Sequence, residues 1–220
     1  MSAVQLGLDH PALAHRTGRG VRVAVVDSGI VAGHPHVGPV AAGIHLSASG
    51  DDEDFRDRIG HGTAVAAAIR EKAPGADLVA VRVFERDLSC DAGTLARAIV
   101  WASDHGARLI NLSLGTDNAL HEAALVRAVR HATLRDAVVV AAGDHDGTRW
   151  LPGALPGVVA VHLDWDCPRQ EVRIATGDPV FWVASGYPRP IPGIPPERNL
   201  KGLSFAVANV TGVLARLLEA

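Results

Sequence analysis

The chain has 220 residues, 48% of them hydrophobic and only 4% aromatic, which suits one α/β domain whose small side chains let helices pack closely over a parallel sheet. A formal net charge of -3 leaves no broad basic footprint for nucleic acid. No apolar run is long enough to cross a bilayer, so neither nucleic acid nor membrane is an expected partner.

The first ten residues lack a basic start followed by an apolar stretch and do not read as a secretory signal. Residues 1–20 read as an N-terminal extension with no evident pro-segment, and the whole of 1–220 as a single domain without a linker or internal repeat. Val21–Val26 is apolar apart from Arg22 and predicts a buried parallel strand ending at Asp27. Residues 31–60 are rich in Gly, Pro and His and read as loop, with an acidic cluster at Asp51–Asp54. His61–Arg70 carries Ala64, Val65, Ala66, Ala67, Ala68 and Ile69 and predicts a buried helix, stopped by Ala-Pro-Gly-Ala at 73–76.

Leu78–Phe84 predicts a strand, Thr94–Gly106 a helix closed by its glycine, and Leu109–Leu114 a strand running into Gly115. Glu122–Leu134 predicts a helix, and Ala137–Ala142 and Val158–Leu163 two further strands. Five prolines within 186–198 mark an extended loop, and Phe205–Leu218 a closing helix. Such alternation predicts a three-layer α/β fold, a mostly parallel twisted sheet with helices on both faces. Its ligand site lies beyond the carboxyl ends of the strands, where Asp27, Gly115 and Gly143 fall.

Three short motifs carry the chemistry. They are Val-Val-Asp-Ser-Gly at 25–29, Gly-His-Gly-Thr at 60–63 and Gly-Leu-Ser-Phe-Ala at 202–206. Alone, Asp27 suits a strand-end cap, His61 a buried histidine and Ser204 a helix cap. Together they are the set a hydroxyl nucleophile needs: a base to take the serine proton and a carboxylate to hold that base. Their order, Asp then His then Ser, is that of the subtilisin group. With these motifs the chain resembles the subtilisin-like serine peptidases from Val21 to Leu218. A nucleotide-binding alternative fails because no GxGxxG follows the first strand.

The resemblance implies a subtilisin-like fold and peptide-bond hydrolysis with Asp27, His61 and Ser204 as catalytic residues and no cofactor. It implies that Ile-Asn-Leu-Ser-Leu-Gly at 110–115 offers Ser113, Leu114 and Gly115 to a peptide bound as an extended strand. Ala-Ala-Gly at 141–143 then supplies the opposite pocket wall through Ala142 and Gly143, and Val-Arg-Val-Phe at 81–84 precedes the outer subsites. Trp150 would border the pocket floor and favour a small residue before the cut; a surface or packing tryptophan is the alternative.

The chain also departs from the family. Asp144 stands at the oxyanion position where the family has Asn, and an ionised carboxylate there repels developing charge, whereas a protonated one can donate. Leu203 replaces a helping Thr, Asn209 a Pro, and Ala64 a second His. The loop that holds a tight calcium in secreted relatives is missing, so no metal is expected; Asp51–Asp54 reads as solvated surface, with chelation of a cation as the alternative, and the acidic 51–57 stretch upstream of His61 is placed to attract basic substrate residues. The implied function is an endopeptidase of narrow specificity, such as a leader or precursor peptidase. A catalytically impaired, peptide-binding relative and an esterase or amidase are the alternatives. Cys90 and Cys167 fit no metal or redox spacing and read as free thiols of a reducing compartment, so the cytoplasm is the expected location.

Overall fold

The apolar run before Asp27 becomes a strand buried on both faces. In a computed structural model that describes residues 3–220, Val23 and Val25 join the core on one side of the sheet, and Ala24 and Val26 the core on the other. A strand alternates its side chains between faces, so only an unbroken apolar run satisfies both.

Among the described residues nine strands form one sheet: β1 (Ala3–Gly7), β2 (Arg22–Asp27), β3 (Ala42–His45), β4 (Asp77–Arg82), β5 (Leu109–Leu112), β6 (Val138–Ala142), β7 (Val158–Leu163), β8 (Glu171–Ala175) and β9 (Phe181–Ala184). Their order is β1-β8-β9-β7-β6-β5-β2-β4-β3. The run from β9 to β3 is parallel, and β8 and β1 add an antiparallel edge. The helices α1 (His61–Lys72) and α4 (Leu203–Leu217) cover one face; α2 (Ala92–Asp104) and α3 (Glu122–Leu134) cover the other. This is the three-layer arrangement read from the sequence.

From β2 the chain crosses to the edge strand β3, comes back to β4 beside β2, and then passes to β5 on the opposite side of β2. The strand order reverses there, and at such a reversal the connections splay apart and leave a crevice beyond the carboxyl ends. Asp27 ends β2 and Ser113–Gly115 follow β5, so both border that crevice.

Several readings need correction. The segment taken as an N-terminal extension contributes β1, which pairs with β8 across the length of the chain. The presumed loop 31–60 contains β3, and the Pro-rich 186–198 segment contains one turn of 3-10 helix, Pro196–Arg198. The third predicted strand stops at Leu112 rather than Leu114, which frees Ser113–Gly115 from the ladder. The last helix starts at Leu203, so Ser204 lies in its first turn.

Candidate active site

Asp27 ends β2 with its side chain fully buried. Its Oδ1 accepts the Ser28 amide at 2.7 Å, and His61 Nδ1 lies 2.8 Å from Oδ1 and 3.0 Å from Oδ2. An ionised carboxylate only accepts, so Nδ1 carries the proton and Nε2 is left as the basic nitrogen. Burial pushes the His61 pKa down, but the Asp27 hydrogen bond and charge, with the charge of Asp57, outweigh it and the net shift is upward.

The glycines of Gly-His-Gly-Thr have separate reasons. Gly60 caps α1 at a φ of 95°, a left-handed conformation that glycine adopts without strain. A Cβ on Gly62 would meet the Gly29 carbonyl oxygen at 2.2 Å and the Asp27 Cβ at 3.1 Å, so the start of α1 can approach β2 only without a side chain there.

Asp57, which the sequence analysis did not single out, fixes this helix end. Its Oδ1 accepts from Ser28 Oγ at 2.9 Å and from the amides of Ile59 and Gly60 at 2.9 and 2.7 Å. Its Oδ2 accepts from the Thr63 amide and hydroxyl at 2.8 and 2.6 Å. Ser28 Oγ in turn accepts the Gly62 amide at 2.9 Å. Burial raises the Asp57 pKa, but the hydrogen bonds to Thr63, Gly60 and Ile59 more than offset it and hold the carboxyl below its usual range. A single buried carboxylate therefore ties the residue after Asp27 to those flanking His61. The signal in the sequence was an Asp three residues before a helix-opening glycine.

Ser204 is half-buried in the first turn of α4, beside Phe205, whose ring centroid lies 5.8 Å from that of His61. Its Oγ donates to the Ser113 carbonyl at 3.2 Å, while Ser113 Oγ donates to the Ser204 carbonyl at 3.1 Å. The structure thus forms the Asp27–His61 half of the expected row and holds the serine hydroxyl on the end of β5. Rotation about the Ser204 Cα–Cβ bond moves the hydroxyl between staggered positions, and such bonds often close only with substrate present.

Ser113, Leu114, Gly115 and Ala142 line a cavity of about 150 Å³ together with Trp150, Leu203, Ser204 and Val207. The tryptophan singled out from the sequence is thus a wall of this pocket. Gly143 is not among the lining residues. Its amide donates to the Val161 carbonyl at 2.8 Å, and a Cβ there would meet His162 Nε2 at 2.7 Å, so it serves the close packing of β6 on β7.

Asp144 follows, exposed to solvent, ahead of a tight turn in which His145 and Thr148 exchange backbone hydrogen bonds. It does not occupy the apolar, enclosed setting in which a carboxylic acid serves as a donor. Asn209, where the family has Pro, is buried in α4 and donates to the carbonyls of Ser185 and Tyr187 at 2.9 and 3.2 Å.

The acidic cluster Asp51–Asp54 is exposed, as the solvated-surface reading expects, and three of its four members form ion pairs. Asp51 pairs with Arg97, Asp52 with His45 at 3.0 Å, and Asp54 with Arg58 at 2.6 Å and Arg82 at 3.3 Å. Among the described residues no group of three or more His, Cys, Asp or Glu converges to hold a metal. Cys90 and Cys167 are free thiols, half-buried and buried, and burial raises the pKa of both.

Comparisons with known proteins agree with this geometry. The subtilase family profile matches residues 18–171. A thermostable alkaline protease of Halalkalibacterium halodurans is 31% identical over 90% of this chain and 56% of its own length. Thermitase of Thermoactinomyces vulgaris is 30% identical over 91% of this chain and 75% of its own. The chain thus spans little more than half of the first of these relatives. A solved lanthipeptide protease superposes with a TM-score of 0.69 at 20% identity, over 89% of this chain and 72% of that one, a likeness of fold. With its motifs, strand order and site geometry in agreement, the chain belongs to the subtilase family of serine peptidases.

Proposed function

We propose that this chain is a serine endopeptidase of narrow specificity that cleaves a peptide precursor bound as an extended strand beside Ser113–Gly115. The observation that carries the reading is the buried Asp27 carboxylate gripping His61 Nδ1 at the switch point of the sheet, with Ser204 in the first turn of α4, whose Phe205 ring centroid lies 5.8 Å from that of His61. The lanthipeptide protease with the same fold supports a peptide precursor as the substrate class.

The chemistry follows from these positions. Substrate entry releases Ser204 Oγ from the Ser113 carbonyl to His61 Nε2, which takes its proton as Oγ attacks the peptide carbonyl. The Asp27 carboxylate stabilises the imidazolium that forms. The Ser204 amide, at the positive end of α4, donates to the oxyanion. His61 then protonates the departing amine, and water repeats the cycle on the acyl-serine.

Extended binding follows from the short β5, whose next three residues have left the ladder and offer backbone groups to a peptide. Trp150 shrinks the adjoining pocket and selects a small residue before the cut.

Asp144, Leu203 and the Ser204–Ser113 bond favour a second reading, a peptide-binding relative with impaired catalysis. A fluorophosphonate probe separates the two. Labelling that disappears in Ser204→Ala supports the peptidase; absence of labelling under conditions where the chain is folded overturns it.

A further inference from the structure

A second cavity adjoins the site on the His61 side. It encloses about 330 Å³ between the first two turns of α1, which contribute Gly60, Thr63, Ala64 and Ala67, and the segment before Ser204, which contributes Arg189, Asn199 and Leu200. His61 delivers its proton to the departing amine, so the leaving half of a substrate lies toward α1. The cavity lined by Trp150 and Ser204 shares no lining residue with this second one and takes the acyl half. Ala64 in place of a larger residue keeps the α1 side of the second cavity open.

The lining of this cavity holds one permanent charge, the Arg189 guanidinium. Arg189, His34 and His36 reach it, and no Asp or Glu does. The nearest acid to influence His36 is Glu71, which Lys72 and Arg169 already hold. The Arg189 side chain is half-buried, and Nη1 donates to the His36 carbonyl at 3.1 Å. No carboxylate pairs with it among the described residues, although a guanidinium presents five donors. Its backbone is fixed as well: Asn199 Nδ2 donates to the Arg189 carbonyl at 3.3 Å, and Asn209 Nδ2 to the Tyr187 carbonyl two residues earlier. Burial, then the charges of Arg189 and His34, lower the His36 pKa against the pull of Glu71, which leaves Arg189 as the charge of the lining.

A positioned, partly desolvated guanidinium without an anion is a carboxylate receptor. We infer that this cavity receives the residue immediately following the scissile bond, or the one after it, and that Arg189 selects a carboxylate there. The inference rests on the peptidase reading above and names the substrate class of that site. The carboxylate comes either from an acidic side chain or from the free C-terminus of a substrate that ends just past the cut.

The test uses internally quenched peptides with Glu, Gln or Lys at the first and second positions after the cut, and short peptides ending there as free acid or amide. Glu is expected to exceed Gln by about tenfold in kcat/KM, with Lys poorest. In Arg189→Gln the Glu-to-Gln ratio falls to about one, and in Arg189→Lys it is partly retained. A preference confined to free acids over amides assigns the C-terminal source. Equal rates for Glu, Gln and Lys together with equal rates for free acid and amide, or a carboxylate preference that survives in Arg189→Gln, overturn the inference. If nothing is cleaved and the fluorophosphonate probe does not label, it is the peptidase reading that fails. Binding of the same peptides to the Ser204→Ala chain, read by fluorescence polarisation, then decides the pocket separately. Tighter binding of Glu than Gln, lost with Arg189→Gln, sustains it, and equal binding overturns it.

Discussion

His61 is the base only while it is neutral, so its raised pKa sets the acidic limit of activity. Burial lowers that pKa and the Asp27 and Asp57 carboxylates raise it, with the balance above the ordinary 6.5. The acid limb of kcat/KM is therefore expected above pH 6.5, with activity rising as His61 loses its proton. Asp57→Asn removes one of the raising charges and loosens the start of α1. A profile of kcat/KM against pH should show the limb moved downward along with a lower plateau; a lower plateau alone means that Asp57 only supports the fold. Asp144 gives the second prediction at this scale. It is exposed, and the resemblance to subtilases assigns it the position where a donor to the oxyanion is worth roughly 10²–10³ in turnover. Asp144→Asn is expected to raise kcat by about tenfold or more on a single peptide substrate, and a fall would show that the carboxyl itself takes part. The candidate residues Asp27, His61 and Ser204 were legible because each sits in a short motif with small neighbours. Asp57 was not, because its local contacts to Ile59, Gly60 and Thr63 mark only a helix start, whereas the bond to Ser28 that brings it to the site spans 29 residues.

The two halves of the site ride on different helices, α1 and α4, so their packing governs whether His61 and Ser204 meet. Gly212 lies in that contact. A Cβ there would lie 2.5 Å from the Lys72 Cβ, 3.0 Å from its Cγ and 3.2 Å from the Ile69 carbonyl oxygen. As a helix former alanine is favoured over glycine by about 1 kcal/mol, but overpacking costs about 1–3 kcal/mol, and the atoms met first belong to the base of the lysine side chain and cannot swing away. Overpacking wins. Gly212→Ala is expected to melt a few degrees lower, at about 2–4 °C per kcal/mol for a chain of this size, with a drop in kcat as the helices part. A higher melting temperature would mean that the contact relaxes freely. The same packing logic explains which elements could be read from the sequence. The central strands and all four helices bury continuous or periodic apolar runs, which leave a pattern. In β1 only Leu6 is buried, and β3 is four residues in a Gly- and Pro-rich stretch, so neither leaves one. The short β8 and β9 are strands because of pairing with each other, with β1 and with β7, which is information that no local window contains.

At the scale of the whole molecule, Lys72 joins parts distant in sequence. It ends α1 fully buried, its Nζ 2.7 Å from Glu71 Oε2, and Glu71 also binds Arg169 of the segment before β8. Arg216 of α4 donates to the Lys72 carbonyl and, at 2.9 Å, to that of Leu13. Burial pushes the lysine pKa down from 10.5 to about 8; Glu71 opposes this, and the charges of Arg169 and Arg189 add to it. In the unfolded chain the lysine keeps its proton up to about 10.5, whereas the folded chain releases it near 8. Between those values the unfolded state binds more protons, so this group makes stability rise with pH. Below about 8 the folded state bears the full penalty of a buried ammonium, on the order of 3 kcal/mol from the size of the shift. Lys72→Met removes that charge and leaves Glu71 with Arg169, and exchanging a buried ion for a hydrophobe of similar size is often neutral or stabilising. Cys90, raised to about 12 by burial, acts in the opposite direction at alkaline pH, so the difference between variant and parent is the quantity to follow. Lys72→Met is expected to melt above the parent at pH 7, with the gap constant up to about pH 8 and closing toward pH 10.5 as the parental lysine becomes neutral in both states. A gap independent of pH across that range would mean that Lys72 keeps an ordinary affinity for its proton inside the fold.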